Sequence, residues 1–223
     1  MMNNHIIIYS HGFGVKKDSR GMFTDIAANF PEAEHIMFNY DEIDETNNTA
    51  TVPSLHKQAE MLLEIFQEIK KNHPTTPIDV IGHSQGCIVA GLAKLNARKT
   101  ILLAPPMRTV DPKEKWRKYI QRHPGVTIED DMTIVPRRDG SITIVSEEYW
   151  QSCRNLPDSA ALYNGLSEMT DLTIISAKKD KTVGRVNYSI LDDPIKIIKL
   201  KADHNFKNKS RGKMIDVIKE VIE

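Results

Sequence analysis

The sequence is poor in cysteine and has no excess of either charge. Only Cys87 and Cys153 occur in 223 residues, and neither belongs to a paired Cys or His spacing. Such a chain has no disulfide framework and no zinc-binding pattern, so both cysteines are expected to be buried apolar side chains. Lys plus Arg number 30, as do Asp plus Glu, which leaves no net charge to attract nucleic acid. We expect no metal and no nucleic-acid partner.

Long hydrophobic runs are also missing. The first apolar run, HIIIY, begins after four residues, too early for a signal-peptide core, and no segment approaches the length of a membrane span. We expect a cytoplasmic protein with no membrane contact. The length of 223 residues suits one domain with a real core and a modest insertion, rather than two full domains.

Short apolar runs rich in β-branched residues alternate with longer amphipathic segments. This alternation predicts an α/β fold, in which a mainly parallel sheet carries helices on both faces. Strands are predicted at residues 5–10, 35–40, 78–82, 100–104, 172–177 and 195–200. Helices are predicted at residues 19–29, 54–72, 85–96, 184–189 and 210–222.

Residues 105–168 interrupt the alternation. This segment is more polar, and its stretch MTIVPRRDGSITIVS holds two alternating runs around Asp139 and Gly140, which predicts a β-hairpin with a tight turn. Arg137 and Arg138 are expected to lie in a solvated turn. We therefore divide the chain into a core of residues 1–104 and 169–223 and an insertion of residues 105–168.

The stretch IDVIGHSQGCIVAGL holds a serine between two glycines. Gly82, Ser84 and Gly86 form the pattern G-x-S-x-G, in which a strained turn from strand to helix lifts a nucleophilic serine out of the backbone. A predicted buried strand before the serine and a helix with small residues after it fit this turn. The alternative is a plain structural turn, since turns use both glycine and serine. We predict that Ser84 is a nucleophile.

A nucleophilic serine also needs donors for the oxyanion that forms during attack. The stretch YSHGFGV directly follows the first predicted strand, and its glycines let the backbone bend toward the ends of the strands. The backbone N–H groups of Phe13 and Gln85 are therefore predicted to form the oxyanion hole. His11 is expected to support the loop rather than to act as a base.

The base and its acid are predicted from their places in the chain. His204 follows the last predicted strand, and no other histidine lies there. Asp180 follows the strand before it, so that the order Ser84, Asp180, His204 is that of a Ser, Asp, His triad. Asp203 is the rival acid, but as the immediate neighbour of His204 it is badly placed to reach the Nδ1 atom of that ring.

These motifs resemble those of serine hydrolases with the α/β-hydrolase fold. HGFG follows an early strand, GHSQG forms the nucleophile turn, AKKDKTV follows a late strand, and ADHNF precedes the last helix. The resemblance spans nearly the whole chain outside the insertion. It implies an α/β-hydrolase fold with a minimal six-stranded sheet, because the two antiparallel strands that usually lead the family's sheet are missing. It also implies cleavage of small-molecule carboxylic esters through an acyl-enzyme, without a cofactor.

Insertions at this place commonly form a cap over the active site of these hydrolases, so the resemblance implies a cap at residues 105–168. The segment is similar to the caps of small carboxylesterases, including those that act on hydroxycinnamoyl esters. Trp116, Tyr149 and Trp150 are its candidate substrate-binding residues. Alternatively, these aromatic side chains form only the small core of the cap, or the whole segment is a surface excursion that only lengthens the fold.

Two other functions stay open at this point. The same triad can cleave a thioester or a carbon–carbon bond. A noncatalytic α/β-hydrolase-like protein would instead use the site to bind a ligand, although the presence of all four catalytic motifs disfavours this reading.

Overall fold

The computed structural model describes residues 5–107, 125–129, 132–137, 140–184 and 186–223. In chain order, its elements are β1 (Ile6–Ser10), α1 (Met22–Ala27), β2 (Glu34–Met37), β3 (Glu42–Asp44), β4 (Thr49–Val52), α2 (Leu55–Asn72), β5 (Ile78–His83), α3 (Gln85–Ala93), β6 (Lys99–Leu103), β7 (Thr127–Glu129), β8 (Met132–Pro136), β9 (Ile142–Val145), α4 (Glu147–Arg154), α5 (Ser159–Ser167), β10 (Asp171–Ala177), β11 (Lys196–Leu200) and α6 (Lys209–Ile222).

A six-stranded sheet forms the centre of the molecule. Its strand order is β11-β10-β6-β5-β1-β2, and every pairing in it is parallel. Runs such as IIIYS in β1 and IDVIGH in β5 are buried along their whole length, as expected of strands that are covered on both faces. The predicted six-stranded, mainly parallel sheet is therefore confirmed, and each of its six strands lies where the sequence places it.

Helices cover both faces of this sheet, as predicted. Alternate strand residues point to opposite faces. Ile6 and Ile8 of β1 belong to a core cluster with residues of α2, α3 and α5. Ile7 and Tyr9 of the same strand belong to a second cluster with residues of α1 and α6. The two cores hold the strand ends in place, which matters because the candidate site lies at those ends.

Four of the five predicted helices are present as α1, α2, α3 and α6, two of them several residues shorter than predicted. The prediction of a helix at residues 184–189 is wrong for the residues described there, since residue 184 and residues 186–189 lie in loop and turn. Arg185 lies outside the described residues. Among the described helices, none is both long and apolar enough to cross a lipid bilayer.

A second sheet has five strands in the order β3-β4-β9-β8-β7. Strands β8 and β9 form the predicted hairpin, with Pro136 opposite Ile142. Its connection is longer than the tight turn expected, because the Arg137 N–H donates to the Ser141 carbonyl at 2.8 Å and Gly140 has φ +84°. That geometry is typical of a three-residue connection with glycine in the left-handed region. Residues 138–139 lie outside the described residues.

Strands β3 and β4 were not predicted from the sequence. Strand β3 pairs antiparallel with β4, and β4 pairs parallel with β9. The turn between them is stabilised by Asp44, whose Oδ1 accepts the N–H groups of Thr46 and Asn47 at 2.9 and 3.1 Å. Strand β3 is exposed throughout and has Ile43 as its one apolar residue, so no hydrophobic alternation marks it. The second sheet therefore joins residues 42–52 to strands of the insertion.

Candidate active site

Ser84 lies at the turn between β5 and α3, at the carboxyl edge of the parallel sheet. Its φ of 54° is rare for a residue with a side chain, and its N–H donates to the Leu103 carbonyl at 3.0 Å. A Cβ on Gly86 would lie 2.0 Å from the Ser10 carbonyl oxygen, and one on Gly82 would lie 3.0 Å from the Gly86 carbonyl oxygen. Both glycines of the motif are therefore required by close backbone contacts, and the turn presents Ser84 at the surface of the sheet edge.

His204 follows β11 and reaches Ser84 with its ring. Its Nε2 lies 3.0 Å from Ser84 Oγ, and its Nδ1 lies 2.7 Å from Asp180 Oδ2. The side chains of His204 and Asp180 are only 10% and 5% exposed. This is the arrangement in which an imidazole can accept a proton from a hydroxyl while a carboxylate fixes its orientation. The structure thus brings together the three residues that the sequence assigned to the triad.

Asp180 follows β10 and is held by its own turn. Its Oδ1 accepts the N–H groups of Thr182 and Val183 at 2.7 and 2.9 Å, which leaves Oδ2 free for His204. Burial acts to raise the pKa of this carboxyl, but the hydrogen bonds from His204 and Val183 outweigh it and hold the pKa below its usual range. Asp180 is therefore an ionised partner for the imidazole.

Asp203, the rival acid in the sequence, points elsewhere. It is exposed, and its Oδ1 accepts the N–H of Lys207 at 2.9 Å. That bond stabilises the turn before α6. Adjacency in the chain does not bring this carboxyl to the Nδ1 atom of His204.

The loop after β1 lies against Ser84. A Cβ on Gly12 would be 3.1 Å from the Ser84 Cβ, so the backbone of the loop passes directly beside the serine. Within the described part of the chain, neither the Phe13 N–H nor the Gln85 N–H donates a hydrogen bond to another backbone group. Both donors are available for an oxyanion beside Ser84.

His11 supports this loop, as expected. Its ring Nε2 accepts the Tyr40 N–H at 3.1 Å, and its Nδ1 therefore carries the hydrogen that it donates to the Gly12 carbonyl at 2.9 Å. Burial lowers the pKa of His11 and keeps the ring neutral. The imidazole thus fixes the backbone just before Phe13.

His83 is a residue of the site that sequence reasoning missed. Its Nε2 donates to the backbone carbonyl of His204 at 3.0 Å, and its Nδ1 then accepts the hydroxyl hydrogen of Ser19 at 3.0 Å. The two imidazole rings lie 5.0 Å apart. Burial lowers the pKa of His83 to about 3, with the neighbouring His204 acting in the same direction. The signal in the sequence was the His before Ser84 in GHSQG, but only the fold shows its partner.

Tyr149, a predicted substrate-binding residue, lies beside Phe13 and Gln85, the two residues predicted to form the oxyanion hole. Its ring packs on Phe13 with centroids 5.4 Å apart, and its hydroxyl donates to Gln85 Oε1 at 2.5 Å. Gln85 in turn donates to Gln58 Oε1 at 2.9 Å, and Gln58 donates to the Pro53 carbonyl at 2.8 Å. A continuous series of hydrogen bonds thus connects α4, α3 and the start of α2.

The other two aromatic candidates are placed differently. Trp150 is 9% exposed and packs edge-to-face on Tyr149, with ring centroids 4.9 Å apart. Trp116 lies outside the described residues. The substrate-binding roles of Trp116, Tyr149 and Trp150 stay predictions.

The expectation that Arg137 lies in a solvated turn is wrong. It is half-buried, its Nε donates to Thr143 Oγ1 at 2.7 Å, and its guanidinium contacts the loop of Phe13 and Gly14. The hairpin therefore turns this side chain inward, toward the candidate site. Arg138 lies outside the described residues.

No protein-family model matches the chain, and no curated protein sequence matches it. Several solved structures resemble it. Est1E from Butyrivibrio proteoclasticus is 16% identical, with a TM-score of 0.66 and coverage of 100% of this chain and 88% of that chain. The structure described as ferulic acid bound to Est1E is 14% identical, with a TM-score of 0.64 and coverage of 98% and 88%.

Two further structures share this likeness. The esterase domain of a Rhodothermus marinus protein is 14% identical, with a TM-score of 0.62 and coverage of 96% of this chain and 84% of that chain. An alpha-beta serine hydrolase homologue from Coxiella burnetii is 10% identical, with a TM-score of 0.59 and coverage of 99% and 86%. At these identities the likeness shows the fold, and the chain has the α/β-hydrolase fold that the sequence motifs implied.

Proposed function

We propose that this protein is a serine hydrolase that cleaves carboxylic esters through an acyl-enzyme. The observation that carries the proposal is the series of contacts from Ser84 Oγ to His204 Nε2 at 3.0 Å and from His204 Nδ1 to Asp180 Oδ2 at 2.7 Å. These three residues come from three separate loops, and all three loops follow strands at one edge of the parallel sheet. Ligands of open α/β sheets bind at this edge.

In the first half of the proposed reaction, Ser84 Oγ attacks the ester carbonyl while His204 Nε2 takes its proton. The N–H groups of Phe13 and Gln85 donate to the oxyanion that develops on the carbonyl oxygen. His204 then gives the proton to the alcohol oxygen as its bond to the acyl carbon breaks. Asp180 stays ionised and stabilises the imidazolium.

In the second half, water attacks the acyl-enzyme, and His204 takes a proton from that water. The carbon–oxygen bond to Ser84 breaks, the proton passes from His204 to Ser84 Oγ, and the carboxylic acid leaves. Apart from the ester and this water molecule, the cycle uses only side chains and backbone groups of the protein. We include in the proposal that residues 105–168 act as a cap on substrate access.

The structural neighbours support an ester as the substrate class. Est1E has been solved with ferulic acid, and the Rhodothermus marinus neighbour is described as an esterase domain. Feruloyl esters therefore belong among the substrates to be tested. Thioesters belong there too, since the same three residues could act on that bond.

The test combines covalent labelling with a substrate panel. A fluorophosphonate probe should add the mass of one probe less HF, since fluoride leaves as Ser84 Oγ bonds to phosphorus. The adduct should map to Ser84 by peptide mass spectrometry, and labelling should abolish hydrolysis of nitrophenyl esters. Ser84→Ala should remove both labelling and turnover. Labelling at another residue, or no labelling together with no hydrolysis of esters or thioesters, would overturn the proposal and favour a ligand-binding protein.

A further inference from the structure

Arg137 is the first residue after β8, and its guanidinium lies against the predicted oxyanion loop. Its Cζ is 5.9 Å from the centre of the Phe13 ring, within the range of a cation–π contact. A Cβ on Gly14 would lie 2.2 Å from Nη2, so the guanidinium occupies the space that any other side chain at position 14 would need. Thr143 Oγ1 accepts from Nε at 2.7 Å and fixes the direction of the group.

One nitrogen of this guanidinium has no hydrogen-bond partner in the part of the chain that the structure describes. This nitrogen is Nη2 of Arg137, and it is buried. A buried donor without an acceptor costs about 1–3 kcal/mol, and more when it is charged. Neighbouring atoms cover Nη2 in this structure, so an acceptor carried by a ligand would remove that cost once those atoms move aside.

Asp41 interacts electrostatically with Arg137 but makes no hydrogen bond to Nη2. Burial raises the pKa of its carboxyl to about 6, and the Arg137 charge opposes this effect without cancelling it. The carboxyl is thus within electrostatic range of Arg137 while Nη2 stays without a hydrogen bond. The Asp41 carboxylate therefore offsets part of the positive charge of Arg137 but does not accept a hydrogen bond from Nη2.

The loop that Arg137 contacts is the loop that lies beside Ser84. Gly12 lies directly against Ser84, and Arg137 lies against Gly14. Two residues of extended chain span at most about 7 Å, which limits the separation of the Gly12 and Gly14 backbones on this loop. The guanidinium also packs on Phe13, whose N–H is proposed to donate to the oxyanion, so Arg137 and the ester beside Ser84 share one short loop as their neighbour.

We propose that Arg137 binds an anionic group of the substrate, a carboxylate carried on the same molecule as the ester bond that Ser84 attacks. The planar guanidinium presents N–H groups that match the two oxygens of a carboxylate. The proposal rests on the ester hydrolysis proposed above and names a substrate class for it, the monoesters of dicarboxylic acids or the esters of hydroxy acids.

Matched pairs of esters test this specificity. 4-Nitrophenyl hemisuccinate and hemiglutarate carry a carboxylate on the acyl side, and 4-nitrophenyl butyrate and pentanoate are their uncharged counterparts. 4-Carboxyphenyl acetate carries the charge on the alcohol side, and phenyl acetate is its counterpart. The charged member should have the higher kcat/KM in at least one series, and that series identifies the side of the ester that faces Arg137. Absence of this preference in both series would overturn the proposal.

Variants then attribute the preference to Arg137. Arg137→Gln should lower the ratio of kcat/KM for the charged to the uncharged ester by about 10- to 100-fold, the loss expected for one charge-assisted hydrogen bond. Asp41→Asn should raise the same ratio, because it removes a competing negative charge. Arg154→Gln is the matched control, since it deletes the same charge from an exposed ion pair with Glu147 on α4 and should leave the ratio unchanged.

Failure of this proposal is distinguishable from failure of the ester hydrolysis. If Ser84 reacts with a fluorophosphonate but Arg137→Gln leaves the ratio as in the wild type, only the anion site is overturned. If Arg137→Gln does not fold, two other variants test the proposal. Arg137→Lys should lower the ratio of kcat/KM for the charged to the uncharged ester, and Asp41→Asn should raise it. If Ser84 neither labels nor turns over any ester, both proposals fall.

Discussion

His83 donates its Nε2–H to the backbone carbonyl of His204 at 3.0 Å, so the residue before the proposed nucleophile is bonded directly to the residue proposed as its base. The bond joins the end of β5 to the loop after β11, on opposite sides of β6 and β10 in the sheet. Because Ser19 occupies the other ring nitrogen at 3.0 Å, the ring is held in one orientation. This side chain therefore helps to set the distance between Ser84 and His204.

Replacing His83 should slow the reaction without weakening substrate binding. His83→Phe keeps a planar ring but removes the donor, and we expect kcat to fall about 10- to 100-fold with KM changed much less, as expected when a catalytic group is misplaced by about 1 Å. His83→Gln offers an amide N–H at a similar reach and should recover part of kcat. Steady-state kinetics on nitrophenyl esters give both parameters. Equal kcat for His83→Phe and the wild type would remove His83 from the positioning of His204.

The same residue should make the folded state sensitive to acid. Its pKa is about 3 in the folded protein and about 6.5 when unfolded, so between these values the unfolded chain binds one more proton. The contribution of neutral His83 to the free energy of unfolding is therefore fully present above about pH 6.5 and is lost as the pH falls toward 3. Between pH 7 and pH 5 the wild type should lose about 2 kcal/mol more unfolding free energy than His83→Gln. Urea titrations at both pH values measure the difference, and equal losses would contradict a buried neutral His83.

Asp180 and Asp203 should differ sharply in their effect on turnover. Asp180→Asn removes the acceptor for the Nδ1 hydrogen of His204, and we expect kcat to fall by about 10^3- to 10^4-fold while the fold survives. Asp203→Asn is the matched control, with the same chemical change one residue from His204, and it should lower kcat less than threefold. Circular dichroism checks the fold of each variant. The reverse order of effects would reassign the acid.

The proposed nucleophile and base should act as a unit. Ser84→Ala and His204→Ala should each reduce kcat by about 10^4- to 10^6-fold, and the double variant should be little worse than either. The reason is that the base has no function once the hydroxyl that it deprotonates is gone. Kinetics on all three variants, with a fluorophosphonate label as the check on Ser84, measure the coupling. Additive losses would mean that the two residues act separately.

Tyr149 should contribute to stability through Gln85. Tyr149→Phe keeps the ring on Phe13 but leaves the buried Gln85 Oε1 without its tyrosine donor, at a cost of about 1–3 kcal/mol in unfolding free energy. A double-mutant cycle with Gln85→Leu should show coupling of about 0.5–3 kcal/mol. If the cycle shows no coupling, and Tyr149→Phe instead changes the preference among acyl groups, Tyr149 serves the substrate and not the packing of α4.

The central sheet and the meeting of Ser84, Asp180 and His204 were predictable because their signals are local in the sequence. The runs around Ile6, Ile78 and Ile174 are mostly apolar and rich in isoleucine, which is typical of strands that are buried on both faces of a parallel sheet. Ser84 and Asp180 each follow such a strand, and His204 follows β11, a partly exposed strand at the edge of the sheet. Since parallel strands end at one edge, the order of strands along the chain was enough to place these residues together.

The second sheet and the roles of Arg137 and His83 could not be predicted, because they depend on contacts between segments that are distant in the sequence. Strand β3 is polar and exists because β4 is beside it, and β4 pairs with β9, about ninety residues later in the chain. Arg137 looked like a surface residue because nothing in PRRDG shows that its side chain meets Gly14. His83 has a partner 121 positions away. Contacts of this kind leave no periodic pattern of hydrophobic residues in the sequence, so the sequence alone does not reveal them.

The parallel ladder between β4 and β9 bears on how this protein could be re-engineered. A designer who exchanged residues 105–168 for the corresponding segment of another hydrolase would leave β4 with an open edge, a template for aggregation. The same exchange would remove Leu162 from its place against Gly91 of α3. A workable transplant has to carry residues 42–52 as well. Since Pro53 and Gln58 follow directly and connect to Gln85, any graft at that junction also reaches the turn that presents Ser84.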